Sequence, residues 1–177
     1  MELIEIFNLT IGVGVIALQI ITIIGIFVLI KHTPTIGTIF SKYTLPGFRV
    51  VFIMAVCGSL LYEHLFGYNP CILCWYQRLA IFPLAFIGII GNFKNNLSIR
   101  RAVRSLAVYG LIVAGIHIFI DFSPSVGDIC GQGPSCLIRY VYVFNYVTIP
   151  VMSATVLALG LVLSFIVTRY PQQDIAQ

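Results

Sequence analysis

The sequence predicts an all-α integral membrane protein, a bundle of about five transmembrane helices. Two observations carry that expectation: the composition, and the spacing of long charge-free apolar runs. Of 177 residues, 59% are hydrophobic and only 9% are charged, against roughly 25% charge in a soluble domain. Ten basic and six acidic side chains are too few to clothe a water-facing surface for a chain of this length. An ordinary soluble enzyme, a disordered chain and a nucleic-acid binder with a basic face are all excluded.

A helix that crosses the roughly 30 Å hydrocarbon core takes about 20 mostly apolar residues and satisfies its own backbone. Leu9–Ile30 supplies the first run, uncharged and broken only by Thr10, Gln19 and Thr22. Glu2 and Glu5 precede it where a signal peptide would be basic, so it reads as an uncleaved helix. Val50–Phe66 is the second run, with Glu63 and His64 in its last turn. Leu79–Gly91 is a third and is short. Ser105–Ile120, bounded by Arg104 and Asp121, is the fourth, with His117 in its final turn. Val141–Val167 is the fifth, ending before Arg169 and Pro171. Pro83 and Pro150 lie inside these runs and predict kinks that neighbouring helices tolerate.

Charge gives the orientation. With the N-terminus outside, segments 31–49, 92–104 and 168–177 face inward and hold eight of the ten basic residues, leaving Arg78 and Arg139 outside. Basic residues are retained on the cytoplasmic side. The expectation is therefore a multi-pass membrane protein with its N-terminus outside and its C-terminus on the cytoplasmic side.

Four of the five cysteines then fall on the outer face, where disulfides are chemically sensible. Cys71 and Cys74 form a C-x-x-C between the second and third runs. Cys130 and Cys136 lie between the fourth and fifth. Three pairings are open, and the local one closes the shortest loops. A structural staple gains most from a long loop, so a ring closed over two residues reads as redox chemistry. Asn69 and Pro70 resemble a helix cap and first turn, which would set Cys71 and Cys74 among unpaired N–H groups that favour a thiolate. Arg78 is one turn beyond Cys74. The third run is only 13 residues, roughly 20 Å at 1.5 Å per residue. Spanning the core therefore draws Cys74 and Arg78 into the boundary region. There Arg78 either snorkels to headgroups or binds the polar head of a membrane-soluble ligand. The distal pair flanks Gly131, Gly133 and Pro134 and reads as a mobile, exposed loop. Two pairs at different depths suggest an electron relay through mixed disulfides.

At this point the residues resemble a known family. Tyr68 through Arg78 (YNPCILCWYQR), with Pro83 beyond, is similar to the P-C-x-L-C-W-Y-Q-R segment of DsbB-type disulfide oxidoreductases. Cys130 through Cys136, followed by Tyr140, Thr148, Ile149 and Pro150, resembles the short-loop BdbC-like branch. The resemblance covers roughly residues 49–167. It implies a core over 49–177, with residues 1–48 an extra N-terminal helix and basic loop, since the family usually has four spans. It also implies reoxidation of a soluble thioredoxin-fold, DsbA-like thiol oxidase, with electrons passed to a quinone, ubiquinone or menaquinone. By position, Cys130 would be attacked by the partner thiolate and Cys136 would be its disulfide mate. Cys71 and Cys74 would receive the electrons. Cys74 would be the quinone-proximal sulfur, forming a charge-transfer or covalent adduct, and Arg78 would bind a quinone oxygen.

Other residues are read more plainly. Cys57 is expected to pack as a small hydrophobe. Glu63 and His64 are interfacial polar groups or proton shuttles, and His117 and Asp121, four apart, are expected to pair. Tyr140, Tyr142 and Tyr146 fit an aromatic belt. Three rivals stand beside the oxidase. A vitamin-K-epoxide-reductase-type enzyme carries its loop pair before the C-x-x-C, the reverse of the order here. A site of four thiolates would suit zinc. A non-catalytic scaffold would use the disulfides as braces. No resident metal is expected.

Overall fold

The computed structural model describes residues 2–91, 96–123 and 134–170. They form five helices, α1 (Glu2–Lys31), α2 (Pro34–His64), α3 (Ile72–Ile90), α4 (Leu97–Phe122) and α5 (Ile149–Arg169). Each is long and apolar enough to cross a membrane. Among the described residues there is no sheet, only one isolated bridge between Val143 and Val147.

The helices meet along stripes at helical spacing. On α2 the buried positions include Gly37, Ser41, Thr44, Phe48 and Phe52, separated by four, three, four and four residues, so they fall on one face. Phe48 and Phe52 enter a core with Ala80 and Leu84 of α3, Val103 and Ala107 of α4, and Leu157 and Leu163 of α5. Close approach depends on small residues, as in other membrane bundles. A Cβ added at Gly110 would stand 2.8 Å from both Ala80 and Leu157, and one at Gly160 would stand 2.7 Å from the Phe52 ring. Helix α5 is the centre of the bundle, packed against α4, α2 and α1.

One end of the bundle is closed by basic side chains. Arg49 donates to the Gly88 carbonyl at 2.6 Å. Arg104 donates to the Ser164 carbonyl and the Thr168 hydroxyl. Gly88 lies in the last turn of α3, where carbonyls lack helical partners, and both cations sit near helix C-termini, where the dipole favours them.

Four expectations are corrected in detail. Segment 34–49 is not a loop: α2 begins at Pro34 and runs through Pro46. Gly37 permits this, because its bare backbone lies under the Tyr170 ring. The fourth span starts earlier, at Leu97, capped by Asn96, whose Oδ1 accepts from the N–H groups of Ser98 and Ile99. The fifth starts later. Phe144 and Asn145 have φ of 51° and 64°, and that left-handed pair makes a reverse turn under the Val143–Val147 bridge. Pro150 consequently sits in the first turn of α5 and does not kink it. Helix α3 has 19 residues, about 28 Å at 1.5 Å each, and reaches that length by including Cys74 and Arg78.

Candidate functional site

The C-x-x-C sits where a turn becomes a helix. Gly67 adopts φ +67°, and the Tyr68 N–H returns to the Tyr62 carbonyl at 3.0 Å. Pro70 favours extended backbone before it. The helix therefore starts two residues later than Asn69 suggested: Cys71 itself is the N-cap, and its carbonyl accepts the first helical bond, from Trp75 N–H. Cys71 is buried at 4% exposure. Its sulfur lies 3.2 Å from Cys74 Sγ, and both thiols are free.

Helix α4 brings the third member. His117 is buried, with Nε2 3.9 Å from Cys71 Sγ and Nδ1 3.1 Å from Gln77 Nε2. With the Gln77 amide donating to Nδ1, the Nε2–H of the neutral ring faces the Cys71 sulfur. His117 therefore does not pair with Asp121. The hydrogen bond with Cys74 pushes the Cys71 thiol down to about 4, burial opposes this, and His117 adds to it. A depressed pKa leaves more thiolate as pH falls. Iodoacetamide should therefore alkylate Cys71 of the reduced protein far below the usual thiol value of about 8.5. A His117→Leu variant should move the midpoint of that profile upward, read on the Cys71 peptide by mass spectrometry. A wild-type midpoint at the ordinary thiol value would contradict the geometry.

Two ion pairs flank this centre. Arg78 donates from Nη1 to Glu63 Oε2 at 2.5 Å, from Nε to Ser59 Oγ at 2.9 Å, and from Nη2 to the Ser59 carbonyl at 3.2 Å. Its guanidinium also lies 4.9 Å from the centre of the Trp75 ring. Arg78 is thus locked to α2 and does not snorkel, and Glu63 is its counter-ion. Asp121 pairs with Arg139 at 2.6 Å, while its Oδ2 and Gln77 Oε1 are buried without a hydrogen-bonding partner.

The two thiols, His117, Gln77 and both ion pairs line one cavity of about 600 Å³. Its wall includes Cys71, Cys74, Arg78, His117 and Asp121, and also Cys136. Cys136 is disulfide-bonded and only 3% exposed, which corrects the expectation of an exposed pair at this sulfur. Cys130 lies outside the described residues. Tyr140 leaves the belt it was expected to join: it stacks on Tyr68 at 4.6 Å and lines the cavity. Cys57 does not pack into the bundle; it is exposed and lines the cavity too. His64 is exposed. The rest of the wall is mostly apolar, from Leu18, Val51, Met54, Phe82 and their neighbours.

Sequence reasoning missed the Arg78–Glu63 pair and the contact between Cys71 and His117. Both join different helices, and nothing local in the chain encodes the register between helices.

Comparison with known proteins agrees with this chemistry. The family model described as "Disulfide bond formation protein DsbB" matches residues 42–167. The chain is similar to the SPbeta prophage-derived disulfide bond formation protein B of Bacillus subtilis (strain 168), 33% identical over 123 residues, 67% of this chain and 83% of the relative. Disulfide bond formation protein C of the same organism is 31% identical over 106 residues, 59% of this chain and 77% of the relative. No solved structure matches the chain.

Proposed function

Because the chain belongs to the DsbB family of disulfide bond formation proteins, we propose that this multi-pass membrane oxidoreductase reoxidises a soluble thioredoxin-fold, DsbA-like thiol oxidase and delivers the electrons to a membrane quinone. One observation carries the reading. Cys71, Cys74, Cys136 and Arg78 share the wall of a single, mostly apolar cavity among spanning helices.

In this reading the partner thiolate attacks Cys130, releasing the Cys136 thiolate, and the partner's second thiol then displaces Cys130. The partner leaves as a disulfide, and the distal pair holds two electrons as thiols. Exchange with an oxidised Cys71–Cys74 pair returns the distal disulfide and moves the electrons to Cys71 and Cys74. Cys71, at the helix N-cap beside His117, is the sulfur best held as a thiolate. Cys74 is the sulfur facing the acceptor. His117, tied by Gln77, holds a proton at Nε2 next to Cys71.

The cavity fits a quinone by the chemistry of its wall. Arg78 uses three of its five N–H groups on α2, leaving donors for a carbonyl oxygen. The apolar wall suits a hydrophobic body. A bound quinone supplies the two-electron, two-proton acceptor, while the protein supplies placement and electrostatics. The same charge count as before supports an extracytoplasmic cysteine face, with residues 49–177 as the redox core.

One observation favours a second reading. Donor atoms of Cys71, Cys74 and His117 lie within 4.8 Å of one another, a set that suits zinc when both thiols are reduced. An anaerobic assay separates the two. Purified protein, a reduced thioredoxin-fold partner and a soluble quinone are mixed, and quinone absorbance is followed beside partner thiol content. One quinone lost per pair of partner thiols is expected. No loss, with stoichiometric zinc retained by the protein as isolated, would replace the oxidase with a metal site.

A further inference from the structure

Helix α1 precedes the residues matched to the family, yet it forms one wall of the cavity. Phe7, Ile11, Gly14 and Leu18 line it from α1, and Val50, Met54, Cys57 and Leu61 line it from α2. Each set recurs every three or four residues, so each is one stripe of its helix. The two stripes face the same space.

The two helices are tied at both ends and apart between them. At one end Tyr62 donates to Asn8 Oδ1 at 2.9 Å, and Phe7 packs on Tyr62 and Phe66, with ring centres 5.7 and 5.2 Å away. At the other end only His32 and Thr33 separate α1 from α2. Between these ties α1 leans on α5 instead. Gln19 donates to Thr155 at 3.2 Å, and a Cβ on Gly25 would stand 2.7 Å from Val162. In the gap, a Cβ added at Gly14 of α1 or at Gly58 of α2 meets no atom within 4 Å, and both glycines line the cavity. Gly14, Met54 and Cys57 are at once cavity-lining and exposed. Val50 and Met54 line the cavity at 61% and 65% exposure, too open for an enclosed wall, so the slot has an open edge there on a helix of spanning length.

The geometry points to a lateral portal between α1 and α2, through which the tail of an isoprenoid quinone lies in the membrane while its head stands at Cys74 and Arg78. This rests on the quinone reading above and adds a berth and a direction of approach. The occupant follows from continuity. The slot is apolar, opens to hydrocarbon, and runs into a cavity whose other end holds a dithiol and a cation. A molecule that is apolar along its length and redox-active at its head matches both ends.

Filling the slot tests it. Gly14→Phe places a ring in the gap, Gly14→Ala barely enters it, and Gly115→Phe puts the same ring on an exposed α4 glycine that also has nothing within 4 Å. In vesicles containing a reduced partner, Gly14→Phe should raise KM about ten-fold for a tailed quinone. KM for a tail-less analogue, and both values in Gly115→Phe, should stay within about two-fold, while Gly14→Ala should fall between wild type and Gly14→Phe for the tailed quinone. Unchanged kinetics with the tailed quinone, or equal loss with both quinones, would overturn the portal while leaving the quinone reading standing. A wild-type protein that reduces neither quinone would overturn both.

A second measurement needs no variant. A quinone with a photoreactive group on its tail should label wild-type protein on the tryptic peptide ending at Lys31. Absence of label there overturns the portal. So does its removal by excess phospholipid, which would assign the slot to an acyl chain.

Discussion

Cys74→Ser is expected to reduce quinone-linked turnover to background while leaving the protein able to capture its partner. A serine hydroxyl cannot enter a disulfide, so the proximal pair can never be oxidised and no electrons reach an acceptor. Cys71 remains, at the N-cap of α3 and 3.9 Å from His117, with its thiol pushed down to about 4. It can still attack the distal disulfide but has no neighbour to release it. A stable cross-link between Cys71 and a distal cysteine should therefore accumulate, visible as a linked peptide that disappears on reduction. Cys71→Ser should abolish turnover without that trapped species. Full turnover by Cys74→Ser would leave the cysteines as braces.

The second large effect concerns Arg78. Its guanidinium and the Glu63 carboxylate are 11% and 24% exposed, so removing either partner leaves a poorly solvated charge. Arg78→Met should cost roughly 2–4 kcal/mol of stability, somewhat below the range for fully buried pairs because both groups keep some exposure. It should also raise KM for quinone. Glu63→Gln keeps the hydrogen-bond geometry but releases the cation, and should be milder on both counts. The double variant Arg78→Met, Glu63→Leu is the decisive one. Thermal unfolding in detergent should recover most of the lost stability, because no charge is stranded, while KM for quinone stays high. Recovery of both together would make the pair purely structural.

How much of this was legible in the sequence depends on the range of the interaction. The apolar runs gave all five helices, because a spanning helix is a property of consecutive residues. The C-x-x-C followed by Trp75, Tyr76, Gln77 and Arg78 marked the start of α3 for the same reason. Segment 34–49 misled because its charges, prolines and glycines resemble a loop. It is helical nonetheless, with Pro34 in its first turn, and Tyr170 over Gly37 and Gly88 accepting from Arg49 hold it against partners far away in the chain. The turn at Phe144 and Asn145 was hidden inside an apolar stretch, since left-handed residues other than glycine give little compositional warning. His117 looked like a partner for Asp121 by spacing alone. Tertiary packing instead directs it to Cys71 and Gln77, and gives Asp121 to Arg139.

The contact between Trp75 and Arg78 has one more consequence. Trp75 is the chain's single tryptophan, and it sits next to Cys74 with its ring beneath the guanidinium. Intrinsic indole fluorescence of the whole protein therefore originates beside the Cys71–Cys74 pair. Quenching by a neighbouring thiolate, or energy loss to an absorbing aromatic acceptor, can be followed in real time without attaching a dye.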